Sequence, residues 1–72
     1  MTVFRMGQTM QQVSDVAART GREVVSVDPC DEQGNVDVSS IDDVVTVVLP
    51  DCVLTFEYLN AAWRVTRVEE RA

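Results

Sequence analysis

The chain has no histidine and no lysine. Without histidine it lacks the usual general base at neutral pH and the commonest transition-metal ligand. Without lysine it lacks the amine of Schiff-base chemistry and the point charge that a P-loop sets against phosphate. Ser39, Ser40, Cys30 and Cys52 have no imidazole to activate them, so nucleophilic catalysis of the Ser–His or Cys–His kind is excluded. Paired carboxylates such as Asp42 and Asp43 remain, but neighbours on an extended chain point to opposite sides. These absences predict a protein without catalytic activity, cofactor or metal.

Long hydrophobic runs are missing too. The longest, Val44 to Leu49, is interrupted by Thr46, whereas a membrane helix needs about 20 apolar residues. The segment from Met1 to Gly7 carries no apolar stretch of the secretory kind. The expectation is a soluble, cytoplasmic protein with no membrane partner. Proline and glycine are scarce, at two and three, and 46% of residues are hydrophobic, which predicts a folded domain rather than a disordered tail. The two cysteines read as reduced thiols, with a Cys30–Cys52 bridge as the alternative.

Basic residues are absent from the whole middle of the chain. From Glu23 to Trp63 there are nine carboxylates and no arginine. Arg5, Arg19 and Arg22 precede that stretch, and Arg64, Arg67 and Arg71 follow it. The net charge is −6. Segregation of this kind sets up a directional field that selects partners by sign. Within the stretch Asp28, Asp31, Glu32, Asp37, Asp42 and Asp43 invite a calcium reading, but the spacing fails. With Gly34 in the sixth place of an EF-hand loop, Pro29 would fall on the first ligand and Ser40 on the bidentate glutamate. The six acids are therefore candidates for binding a protein partner.

What is present predicts α+β structure. Thr9 and Gln12 have the spacing of a capping box, and Met6, Met10, Val13 and Ala17 recur on one helical face. Arg19 suits the last turn and Gly21 a left-handed cap, giving a helix over 9–20 with Gln8, Gln11, Asp15 and Arg22 facing water. Arg22 to Asp28 reads as a strand stopped by Pro29, and 31–35 as a turn. Val36 and Val38 suggest a short returning strand, and Ser39-Ser40 before Asp42-Asp43 a capped helical turn. Val44 to Leu49 is a β-branched buried strand, and Cys52, Leu54, Phe56 and Tyr58 alternate as a second. The C-terminus fits two templates: a strand with Trp63 and Val65 on one face, favoured by the aromatic and β-branched residues of Trp63 to Val68, or, as the alternative, a helix over 58–71 with Arg64, Arg67 and Arg71 in a stripe. Phe56, Tyr58 and Trp63 are expected in the core or at its edge.

Gln12-Val-Ser-Asp-Val-Ala-Ala-Arg-Thr-Gly21 resembles the first helix of a LacI-type helix-turn-helix, in which a Val-Ala pair packs and a glycine opens the turn. The resemblance implies a recognition helix after the glycine. Arg22 to Pro29 departs from that pattern, being rich in β-branched residues and ending in proline, and the negative charge repels phosphate. Direct nucleic-acid binding is not expected.

The sequence thus predicts one small domain, 1–72, of the α+β class. An N-terminal amphipathic helix packs on an antiparallel sheet of four to five strands. In function it predicts a non-catalytic acidic interaction module that docks on a basic surface, such as that of a nucleic-acid-binding protein. In profile it resembles phage- or mobile-element inhibitors that mimic nucleic-acid charge. The alternative is a small structural or accessory subunit, such as a virion component. A homo-oligomer is one way to enlarge the thin core of so short a chain, which buries only about 60% of its unfolded surface.

Overall fold

The computed structural model describes residues 3–71. The helix α1 spans Met10–Arg19. Its start is the expected capping box: the Gln12 amide donates to Thr9 Oγ1 at 3.2 Å and the Thr9 amide to Gln12 Oε1 at 2.9 Å. Two otherwise orphaned donors are satisfied reciprocally. Its end is a Schellman cap. Gly21 takes φ +69°, its amide donates to the Ala18 carbonyl at 3.4 Å, and the Arg22 amide donates to the Ala17 carbonyl at 2.9 Å. Val13 and Ala17 are buried on the inward face, with Met10 and Val16 packed beside them. Met6 departs from the expected face. It precedes the helix in a turn and is 64% exposed.

Four strands form one antiparallel sheet in the order β1-β2-β3-β4. They are β1 (Ser26–Asp28), β2 (Val45–Val48), β3 (Cys52–Leu59) and β4 (Ala62–Glu70). Register places Val27 opposite Val47, Val47 opposite Leu54, Val45 opposite Phe56, and Phe56 opposite Val65. These residues share the face under α1, because side chains alternate along each strand. Phe56, Leu54, Val45, Val65, Leu49 and Cys52 are the largest fully buried side chains. Phe4 joins this core from the N-terminal segment. That segment is tied to β4: the Gly7 amide donates to the Val65 carbonyl and the Val65 amide to the Gln8 carbonyl, both at 2.8 Å.

The C-terminal segment is strand, not helix. It is joined to β3 by a two-residue turn in which Asn60 and Ala61 have φ +51° and +64°. Such angles at both positions suit the right-handed twist of a hairpin. A β-bulge interrupts the pairing where Phe56 faces Val65 but Thr55 faces Arg67. The extra residue lets Val65 and Val68, three apart, both point at the core.

Three further expectations are corrected. The strand predicted over 22–28 shortens to Ser26–Asp28, extended by one bond from the Val25 amide to the Val48 carbonyl at 2.7 Å. The returning strand at 36–38 is a single bridge between Cys30 and Val36. The helical turn at 39–43 is a hydrogen-bonded turn held by Asp43. Among the described residues no helix is long and apolar enough to cross a membrane.

Candidate interaction surface

The six acids selected from the sequence all lie between the end of β1 and the start of β2. Asp28 closes β1 and points to the sheet face opposite Val27. The others ride on the connection that follows it. Asp31 Oδ1 accepts from the amides of Gln33 and Asn35, each at 2.9 Å, which holds the turn that Gly34 closes at φ +84°. Asp43 Oδ2 accepts from the Ser39 amide at 2.9 Å, the Ser39 hydroxyl at 3.2 Å and the Ser40 amide at 3.3 Å. Asp31 and Asp43 are thus structural acceptors as well as surface charges, which periodicity could not reveal. All six are exposed except Asp43, which is half-buried. Among the described residues none of the six forms an ion pair, and no group of three potential ligands is arranged to hold a metal.

Four of the arginines have side-chain partners away from these acids. Arg64 Nη1 donates to the Gly7 carbonyl at 3.1 Å, and Arg71 Nη1 to the Leu49 carbonyl at 2.9 Å. Arg67 pairs with Glu69 at 2.8 Å. Arg22, expected in water, turns inward to Asp51, with Nε 3.0 Å from Oδ2 and only 26% of its side chain exposed. This bond holds the Asp51 carboxyl below its ordinary value of 3.8; partial desolvation works the other way, and the Arg22 charge adds to the lowering. Sheet order completes the separation. Arg64 and Arg67 lie on β4, three strand spacings or about 14 Å from the edge that carries the acids.

Beside the acidic connection lies an apolar groove of about 350 Å³. Val27, Val47 and Phe56 line it from the sheet, Met10, Ser14 and Ala18 from α1, and Arg22, Val24 and Val36 from the connecting segments. Nothing in the linear pattern announced it, because it joins residues from five separate segments.

Neither cysteine is in a disulfide; Cys30 is exposed and Cys52 buried. The bridge alternative fails on topology. Cys30 follows the β1 end beside Thr46, whereas Cys52 opens β3 beyond the Val48–Val53 pair, at the other end of the sheet. Tyr58 and Trp63 meet edge to face at 5.7 Å at the margin of the core, as expected, while Phe56 is buried within it. After Gly21 the chain runs through a cap into extended structure, so the helix that a helix-turn-helix requires is not there. No family model matches the chain, and neither does any curated protein or solved structure.

Proposed function

We propose that this protein is a non-catalytic interaction module whose acidic connection, 28–43, docks on a basic protein surface. The observation that carries the reading is the set of carboxylates on Asp28, Asp31, Glu32, Asp37, Asp42 and Asp43. They share the one connection that leaves the edge strand β1, and among the described residues none of them forms an ion pair. Exposed, unpaired charge of one sign accelerates encounter with a surface of the other sign and rejects partners of its own. A nucleic-acid-binding protein presents such a surface, and the carboxylates would occupy arginines and lysines that otherwise hold phosphate. In that role the module is an inhibitor that imitates nucleic-acid charge, of the kind that phages and mobile elements carry into a cytoplasm.

A second reading rests on Ile41 and Val44, which are 65% and 49% exposed within the same connection. Apolar residues left in water suit a small structural or accessory subunit of a larger assembly, such as a virion component. One experiment separates the two. Native partners are captured at low salt, and association rates are then measured for the parent and for Asp31→Asn, Glu32→Gln, Asp42→Asn, Asp43→Asn combined. The amides keep an acceptor oxygen in each turn, so the fold is retained. The docking reading expects association to slow at least roughly tenfold and the salt dependence to flatten. Equal rates with a flat salt response in both proteins would assign the interaction to the apolar residues instead.

A further inference from the structure

We infer that two copies of this chain pack through the outer faces of their sheets, about a two-fold axis that runs along the strands between β2 and β3.

The first argument is what covers each face. α1, Phe4 and, from the connection, Val36 and Val38 all lie on the inner face. The outer face is left to solvent. Its centre holds Thr46 and Val48 of β2 and Val53 and Thr55 of β3, each half-buried and none charged. Val44 extends that centre and is 49% exposed. Charged side chains stand on the flanking strands, Asp28 on β1 and Arg64, Arg67 and Glu69 on β4. Glu57, at the end of the face, accepts from the Thr66 hydroxyl at 2.6 Å. An uncharged centre inside a charged rim is how protein interfaces are built.

The second argument is that this face complements itself. Register sets Asp28, Thr46, Thr55 and Arg67 in one row across the four strands. All four point outward, because Val27, Val47, Leu54 and Val68 of the adjoining row are turned to the core. The row is therefore negative at one end and positive at the other. An axis along the strands sets this row against its own reverse. Asp28 of each copy then meets Arg67 of the other, and Thr46 meets Thr55. In the row Ser26, Val48, Val53, Glu69 the same axis sets valine on valine and the Ser26 hydroxyl beside the Glu69 carboxylate. An axis across the strands would bring β1 onto β1, acid against acid. Within one chain Arg67 pairs with Glu69, both more than half exposed, and a guanidinium has donors enough for a second carboxylate. Packed sheets lie about 10 Å apart, which an extended Arg and an Asp span together.

Area agrees. Strands of 3, 4, 8 and 9 residues, at about 3.3 by 4.8 Å per residue, make a flat face of roughly 380 Å². With side-chain relief, two such faces remove about 1,000 Å² of accessible surface, where specific interfaces begin. The net charge of −6 opposes association at long range, and salt of about 0.15 M screens that repulsion beyond about 8 Å.

The dimer uses Asp28 alone of the six acids, and its test needs no foreign partner, so this inference and the docking reading can fail separately. Sedimentation of the full chain is followed from micromolar to near-millimolar concentration in about 0.15 M salt, with parent-like melting confirmed for every variant. The parent is expected to shift to a dimer as concentration rises. Asp28→Arg and Arg67→Asp should each raise the dissociation constant at least roughly tenfold, by setting like charges opposite. The two changes combined should restore it, and an equal mixture of the two single variants should form a mixed dimer. Val53→Lys, at the centre of the face, should abolish association; Thr46→Lys gives the same reading from β2 where the first lysine disturbs β3.

A monomer at every concentration would overturn the inference outright. A dimer strengthened by Asp28→Arg would mean an axis across the strands. Association indifferent to both lysines would place the contact at a sheet edge instead. Failure of the combined variant and of the mixture to associate would remove the facing of Asp28 and Arg67 on which the axis rests.

Discussion

Ala61 occupies a left-handed conformation, φ +64°, beside Asn60 at +51°. A side chain in that region costs about 1–2 kcal/mol, which glycine avoids. Ala61→Gly creates the preferred Asn-Gly hairpin pair and is expected to stabilise the protein by about 1 kcal/mol, read as a higher urea midpoint with unchanged slope. Asp51 is expected to act through pH. Its carboxyl is more acidic in the folded chain, so its contribution is complete above the ordinary value of 3.8 and disappears as pH falls through the lowered one. Asp51→Asn should lower the melting temperature at pH 7, and the gap from the parent should close in acid below 3.8; a gap independent of pH would remove the Arg22 bond as its cause. At this scale the sequence was only partly legible. Thr9, Gln12 and Gly21 act within four residues of themselves, so their roles could be read directly. Arg22 finds Asp51 twenty-nine positions away, and no local pattern carries that pairing.

α1 holds the sheet through very few side chains. Only Val13 and Ala17 are buried in it, at 6% exposure each. A core of this size supplies no more than about 3–5 kcal/mol. Val13→Asp places an unpaired charge in that contact and is expected to cost several kcal/mol, leaving the variant unfolded by circular dichroism at 25 °C. The helix was legible because its caps and its apolar period agree. β3 was legible for the same reason, its period of two running unbroken from Cys52 to Phe56. β4 was legible as strand from its aromatic and β-branched residues, but less sharply, because its bulge shifts the inward positions from a spacing of two to a spacing of three and lets a helix template fit as well. The reach of β1 was overread: Val24 and Val25 have strand-forming side chains, yet they are 51% and 61% exposed and lie outside the ladder. β-branched composition signals a preference, and pairing depends on what lies alongside.

The whole molecule measures 31 × 28 × 21 Å and carries its charge unevenly across that span. The acidic connection and the arginines of β4 lie apart because an antiparallel order without crossovers sends the first and last strands to opposite edges. The acids of the candidate surface could therefore be named from the sequence, but their division into turn-holding and unbonded carboxylates, and the groove beside them, depend on the folded connection. Uneven charge also governs how the protein behaves on a solid support. On an anion-exchange resin a molecule adsorbs by its most favourable side, so retention reports the charge of the contacting patch more than the net −6. Glu32→Gln with Asp42→Asn and Glu69→Gln with Glu70→Gln remove the same number of charges, the first pair from the acidic connection and the second from β4. The first pair is expected to elute at distinctly lower salt than the second. Co-elution of the two variants would mean that the resin meets the molecule without a preferred orientation.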